Sequence, residues 1–550
     1  VIACGLGMAC KEVKASAPIA VLLYDRTFVA GRFGAAWRGR RGFYVALALT
    51  WLPLAWFVWA TGGDRGGTFV VSWGACVSYW LTQFEALTRY VRLAFWPSPL
   101  IFEYGRIEAG GIGDWAPHAV VVAAMFGGTL WALIRRPVVG FAGAMLFLVL
   151  APTSLVPGVG QMIVEHRMYL ALAPLATVVT AAVVWRWRRG GLIALGTLAA
   201  ISAALTMQRN RDYATDLALW SDTVAKRPSS ALAQSNLGTA FFQRGRADEA
   251  LPHYTEAVRL QPESPQGHYN LGLALDALGR TEEAVAHYAT AVRLLPYYAQ
   301  AQFKLGGALL RLGRAEAALP PLREAAHRLV EATGAWHVLG LAAAEAGEFE
   351  EAVAAQSRVL QAAPGHTEAE SALAVALFRL GAVEPALRRM ESLLGKNTGL
   401  PEARFQYGVM LAEVGRLDEA RRQYREAIQL QPTMVEARLN LGILLAQAGH
   451  HAEAIAELQE TVRLAPGLAE GHANLGLVLA EAGRPGEAVG AFETALRLRP
   501  EYALAHYNFG NVLVTLERWA EARRHFEAAA RLAPELTAAR EMLERLRGAP

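Results

Sequence analysis

The sequence predicts an all-α protein built from two unlike parts, a polytopic transmembrane helix bundle followed by an α-solenoid of paired helices. Three observations predict it. Of the 550 residues, 53% are hydrophobic and only 19% charged, too apolar a balance for a chain that lies wholly in water. Residues 1–212 hold 11 of the 14 Trp and all three Cys, yet only 9 of the 49 acidic residues. From residue 231 onward the sequence resembles itself every 34 residues.

Charge follows the same division. The first 212 residues carry 19 Lys/Arg against 9 Asp/Glu, net +10, and the remaining 338 carry 34 against 40, net −6. The positive excess borders apolar runs and the water-facing part is acidic, which argues against nucleic acid as a partner. Cys4, Cys10 and Cys76 are odd in number and confined to the apolar part, so they make neither a disulfide framework nor a zinc site, and no metal is expected. The chain opens on Val1 inside an apolar stretch, without an initiating Met or a charged signal n-region, and reads as a fragment lacking upstream sequence.

A hydrocarbon core about 30 Å thick needs roughly 20 apolar residues per helix. Runs at 42–61, 115–134, 138–157, 166–185 and 190–207 meet that length without an acidic residue, and a shorter sixth lies at about 13–28. The aromatic run 77–95 holds Glu85, Arg89 and Arg92, each costing about 2.5–3.5 kcal/mol at mid-bilayer. Trp80, Phe84, Leu87 and Val91 repeat on its other side, so it reads as an interfacial amphipathic helix. Arg38, Arg40 and Arg41, then Arg135 and Arg136, then Arg186, Arg188 and Arg189 border spans in alternate loops, which makes those loops cytoplasmic. The 62–114 loop, the 158–165 loop and everything after Met207 then face the opposite side. With 48 Arg against 5 Lys, the composition favours a GC-rich genome. The expected location is a bacterial inner membrane with the repeats periplasmic, the alternative an endoplasmic reticulum membrane with the repeats lumenal.

In the second part, Pro228, Pro262, Pro296, Pro364, Pro432, Pro466, Pro500 and Pro534 fall on one 34-residue ladder, broken only at Val330 and Thr398. Counting from Ala231, position 20 is Ala in nine units of nine, and position 8 is Gly in eight, with Ala374 the exception. Small residues there let the two helices of a unit approach closely, the Gly at position 15 stops the first helix, and the Pro marks the end of the second. This pattern resembles the tetratricopeptide repeat, with nine units over 231–536, a leading helix at 213–226 and a closing helix at 536–547. The resemblance implies stacked pairs with a concave binding surface.

Position 6 is Asn236, Asn270, Asn440, Asn474 and Asn508, and lapses at Lys304, Val338, Ala372 and Gln406. Repeats with such Asn resemble those of the nucleocytoplasmic O-GlcNAc transferase family, which implies a ladder gripping a peptide backbone. An amide suits that task, since it both donates and accepts. The alternative is that Asn follows the repeat pattern and meets water. Tyr269, Phe303, His337, Phe405 and Tyr507 at position 5 would supply an apolar floor beside it.

No phosphate loop, GxSxG elbow, HExxH or CxxC occurs, which removes the common soluble-enzyme readings. The stretches KEVKASAPIAVLLYDRTF (11–28), YVRLAFWPSPLIFEYG (90–105) and LAPTSLVPGVGQMIVEHRMYLALAP (150–174), ahead of such repeats, resemble the transmembrane-and-tetratricopeptide O-mannosyltransferase-like proteins of the GT-C glycosyltransferase superfamily. That resemblance implies a sugar taken from a polyprenyl-phosphate donor at the lipid surface and placed on a protein hydroxyl outside the cytoplasm.

Glu165, His166, Arg167 and Glu12 are then the candidate catalytic residues, with Lys11, Arg92 and Arg167 neutralising the lipid-phosphate leaving group. Plain interfacial salt bridges are the alternative. The pattern's key acidic residue belongs to a first outer loop that this chain does not contain, with Glu103 and Asp114 as local substitutes, so the fragment is expected to be inactive alone. The competing functional reading is a non-enzymatic, membrane-anchored scaffold that binds protein through its repeats.

Overall fold

The computed structural model describes residues 16–52, 73–95, 111–155, 168–329 and 333–546, among which every regular element is a helix. The chain falls into two compact units, residues 1–297 and 298–550. The first carries the apolar helices, a leading helix and two helical pairs; the second carries seven pairs and a closing helix, Thr537–Arg545.

In the first unit, α1 (Ala17–Tyr24) runs into a π-helical turn, Asp25–Val29. The buried Asp25 carboxylate accepts from Arg40 Nη1 at 2.5 Å and from Tyr44 Oη, both on α2 (Phe33–Ala48), whose helix is interrupted at Arg40. Of the span expected at 42–61, residues 53–61 lie outside the described residues. α3 (Trp73–Phe95) holds Glu85 and Arg89 as an ion pair at 2.6 Å. Its most buried stripe is Tyr79, Ala86, Tyr90 and Leu93, set against Leu146, Val149 and Leu150, while Trp80, Leu87 and Val91 are only half-buried. Small Ala86 allows the close approach, so the inward face lies one residue away from the one that apolar periodicity selected.

α4 (Ile112–Arg135) and α5 (Pro137–Leu155) fold back on each other at Arg136: a Cβ on Gly140 would strike the Leu133 backbone, and one on Gly143 would lie 2.6 Å from Thr129 Oγ1. α6 (Met168–Asp212) breaks at Arg188, where φ is +46°. A Cβ on Gly191 would come within 2.7 Å of the carbonyl oxygen of Val183. Residues eight apart in a straight helix are separated by about 12 Å, so the chain turns back at Arg188, within the arginine cluster expected as a loop.

Among the described residues, Ile112–Arg135 and the stretch Ala176–Arg211, broken at Arg188, are long and apolar enough to cross a membrane, while Pro137–Ala151 is apolar but shorter. Six spans were expected. Part of the difference lies outside the described residues, which leave out 13–15, 53–61, 156–157 and 166–167 of those spans; elsewhere α1 gives way to a turn bearing Asp25 and Arg26, and α2 carries Arg38, Arg40 and Arg41 before its apolar end.

The apolar helices are tied to the leading helix α7 (Asp216–Lys226). Arg209 Nη1 lies 2.5 Å from Asp222 Oδ2, Lys226 Nζ lies 2.7 Å from Asp222 Oδ1, and the Arg209 guanidinium stacks over Tyr213. Burial works against the Asp222 charge, but hydrogen bonds from Lys226 and Arg209 hold its carboxyl below the ordinary range.

Each repeat is a first helix of about 13 residues and a second of 14, as in Pro265–Ala277 and Thr281–Leu294. The glycine at position 8 lies beneath the side chain at position 24. A Cβ on Gly238, Gly272, Gly408, Gly476 or Gly510 would fall 2.6–2.8 Å from the ring of Tyr254, Tyr288, Tyr424, Phe492 or Phe526 respectively, and these rings are fully buried. The exception fits the rule. Where Ala374 replaces the glycine, position 24 is Met390, an unbranched thioether that bends around a methyl group. Small residues at position 8 therefore seat a large side chain, which refines the expected backbone-to-backbone approach.

Position 15 takes φ of +69° to +83° at eight glycines, among them Gly415, and the ninth repeat places Glu517 there at φ +60°. Position 4 is a latch that periodicity alone did not reveal. Gln234, His268, Arg404, Arg438, His472 and His506 each donate to the backbone carbonyl six residues earlier, 2.9–3.2 Å away, tying the inter-repeat turn to the next first helix. Several also reach position 23 of their own repeat, as Arg438 does to Glu457 at 2.6 Å. In His268–His287 and His506–His525 the two Nδ1 atoms approach to 3.1 and 2.8 Å. One Nδ1 of each pair must donate and the other accept, so the two rings of a pair cannot both be charged. Burial first, and then His506, push His525 down to about 4.

Three outcomes follow. Gly408→Ala should cost about 1–3 kcal/mol in chemical denaturation followed by circular dichroism, and combining it with Tyr424→Met should give a favourable coupling of about 1 kcal/mol. Glu517→Gly should stabilise by about 0.5–1 kcal/mol, because only glycine holds positive φ without a Cβ penalty. The pKa of His525 is lower folded than unfolded, so its contribution is full above about pH 6.5 and is lost as pH falls towards 4. The urea midpoint should drop over that window, less so in His525→Gln; an equal drop in both would remove the pair from the explanation.

Candidate functional site

The stacked first helices of the second unit present a groove. It includes a cavity of about 480 Å³ lined by Leu341, Val375, Glu345, Glu368, Ser371 and Gln406, among others. These residues occupy positions 9, 9, 13, 2, 5 and 6 of their repeats, which fixes the face that a first helix turns to the groove. Position 9 forms an apolar row of Leu341, Val375, Val409, Ile443 and Leu477, half-buried apart from the exposed Leu341. The ends of the helices are acidic: position 2 is Glu368, Glu402, Glu436 and Glu470 in four consecutive repeats, and position 13 contributes Glu345, Glu413 and Glu481.

Most of these carboxylates have no permanent cation, although His366 Nδ1 lies 3.3 Å from Glu368 and His451 Nδ1 lies 3.9 Å from Glu481. Among the described residues, no Lys or Arg lies within ion-pair distance of Glu345, Glu368, Glu402, Glu436, Glu470 or Glu481; Glu413 pairs with Arg379 at 3.1 Å. The carboxyl of Glu368 is held below its usual range by its own backbone amide and by Thr367. Elsewhere in the repeats, by contrast, arginines at position 16 pair with glutamates at position 19, as in Arg416–Glu419 and Arg484–Glu487, exposed contacts that add little to stability.

The asparagines at position 6 are half-buried or buried and several have internal partners. Asn270 accepts from Gln266 Nε2 at 2.8 Å and donates to Ser235 Oγ at 3.2 Å, Asn474 donates to the carbonyl of Glu470 at 3.0 Å, and Asn440 is hydrogen-bonded to Tyr424, whose pKa burial pushes up to about 12. Asn236 and Asn508 are half-buried on their first helices. The position 5 rings lean on position 24: Tyr269 on Tyr288 at 6.1 Å between centroids, Phe405 on Tyr424 and Tyr507 on Phe526, both at 5.9 Å. Phe303 is half-buried. Sequence reasoning missed the acidic rails, although four successive Glu at one repeat position were visible.

Of the residues assigned to sugar transfer, Lys11, Glu12, Glu165, His166 and Arg167 lie outside the described residues. Arg92 is exposed on α3, and Asp114 caps the first turn of α4, accepting from the amide of Gly111 at 3.0 Å. No cluster of three or more His, Cys, Asp or Glu with metal-holding geometry occurs among the described residues.

A tetratricopeptide repeat model matches residues 202–265, 235–299, 269–335, 303–367, 411–469 and 474–547, and a second matches 343–406. Together they cover more than half of the chain. No curated protein matches it in sequence. Similar solved structures include MamA from Desulfovibrio magneticus RS-1, at 24% identity over 30% of this chain and 93% of that one, with a TM-score of 0.29. YrrB, described as a TPR protein with an unusual peptide-binding site, matches at 20% identity over 40% and 95%, with a TM-score of 0.28. The human IFIT1 dimer with m7Gppp-AAAA matches at 17% over 55% and 77%, with a TM-score of 0.36.

Proposed function

The chain belongs to the tetratricopeptide repeat family, and on that premise we propose that it is a membrane-anchored scaffold whose first-helix groove binds protein partners. The observation that carries this reading is the groove itself: an apolar row at position 9, open to solvent, on helices whose opposite faces are used up in packing. A row of half-buried Leu, Val and Ile across successive repeats is the kind of surface on which a partner's apolar side chains are excluded from water, at about 25 cal/mol per Å² buried. Residues 1–212 serve as the anchor in lipid and 213–550 as the binding part. The arginines that border alternate loops support an extracytoplasmic side for the repeats, and the Arg-rich composition supports a bacterial inner membrane.

Sugar transfer from a polyprenyl-phosphate donor to a captured protein hydroxyl is the second reading, supported by the three stretches quoted above and by nothing in the geometry of the described residues. In it Glu165, His166, Arg167 and Glu12 act at the reacting centre, Lys11 and Arg92 hold phosphate, and the Asn ladder with its aromatic neighbours presents the acceptor. Glu165→Gln and Arg167→Ala in the full-length protein, with sugar incorporation measured, separate the two: loss of incorporation supports transfer, and no incorporation in the parent leaves the scaffold.

The scaffold reading is tested with a photo-crosslinking amino acid at Val375 in the groove or at Arg531 on a second helix. Adducts with a defined protein should form from Val375 and not from Arg531, and equal labelling from both positions would count against the groove. The full chain should also stay in the membrane pellet after alkaline carbonate extraction; release into the supernatant would remove the anchor.

A further inference from the structure

The acidic rails say what kind of partner the groove takes. Positions 2 and 13 of one first helix are eleven residues apart, which at 1.5 Å per residue sets the two rails roughly 16 Å from each other. The apolar row at position 9 runs between them. An α-helix with its side chains is about 10–12 Å across, so the space between the rails accepts one. On the groove face of the first helices from Thr333 to Glu481, carboxylates at positions 2 and 13 number seven, against the single arginine Arg379, itself paired with Glu413.

We propose that this groove binds a cationic amphipathic helix, its apolar stripe seated on Leu341, Val375, Val409, Ile443 and Leu477 and its flanking Lys or Arg residues meeting the carboxylates on either side. The proposal rests on the protein-binding reading above and narrows it to one partner chemistry. Charge complementarity is the argument. Six exposed glutamates without a Lys or Arg partner, ranged along both edges of an apolar strip, repel one another until a partner brings positive charge to both edges at once.

An amphipathic helix with Leu on one stripe and Lys on both flanks has that pattern, in the helix-in-groove mode. An extended peptide sends alternate side chains to opposite faces and would bring its cations to one face only. The asparagines at position 6 are not required for this mode, and two of the positions where they lapse, Ala372 and Gln406, line the cavity.

The test uses the full chain in neutral-detergent micelles and an 18-residue Leu/Lys helical peptide, with a Leu/Glu peptide of the same pattern as control. The Leu/Lys peptide should bind at least about tenfold more tightly than the Leu/Glu peptide, and its affinity should fall as salt rises from about 0.05 to 0.5 M. The triple variant Glu345→Gln, Glu368→Gln, Glu402→Gln should weaken binding by about tenfold with unchanged helical content, and Val375→Asp should weaken it further at high salt. Equal binding of the two peptides, or a triple variant that binds like the parent, overturns the proposal, since either places the peptide elsewhere, on micelle or surface. If the peptide fails while the Val375 crosslink still captures a protein, the groove binds protein of other chemistry; if both fail, the scaffold reading falls with it.

Discussion

The contact between a glycine at position 8 and a large buried side chain at position 24 is the constraint from which the rest of the repeat region follows. It sets how closely the two helices of a pair lie, and with that which faces remain to stack on neighbours and which look outward. Because position 24 fills the interior of each pair, position 5 leans against it and position 9 is left half-exposed on the far side. The apolar row and its flanking carboxylates are therefore a consequence of a packing decision made inside each repeat.

Polar chemistry works on a second level, between repeats. The side chain at position 4 satisfies a carbonyl in the preceding turn that would otherwise be left partly buried, and then reaches the second helix of its own pair. Gln, His and Arg all perform the task, which is why no single residue type marks the position. The cost is visible where two histidines meet: the bond is lost once both rings are protonated, so an otherwise uniform array carries acid-sensitive points at two places along the chain.

Much of the repeat architecture was legible in the sequence because a fixed period of 34 exposes every constrained position as a column. Ala at position 20, Gly at positions 8 and 15 and the proline ladder each have a local steric cause. The latch at position 4 was not legible, because its partner is a backbone carbonyl and leaves no trace in composition. Exposed carboxylates at positions 2 and 13 do not stand out in the sequence from other surface charge, and only the fold brings them to the border of one groove. In the apolar part, run length located α4, α5 and the two arms of α6, whereas Tyr79, Ala86 and Tyr90 took the inward face of α3 in place of the stripe that periodicity favoured. Apart from Arg92, exposed on α3, the residues expected to act in sugar transfer sit in segments outside the described structure, so only their sequence context speaks for them.

The central claim is that protein binds on the first helices and nowhere else on the repeats. Hydrogen exchange of the full chain, with and without a partner recovered through the groove, tests it most directly. The account predicts added amide protection over the first helices of the fourth to eighth repeats, from Thr333 to Glu481, with the second helices unchanged. Protection confined to second helices, or to the apolar helices before residue 212, would contradict it.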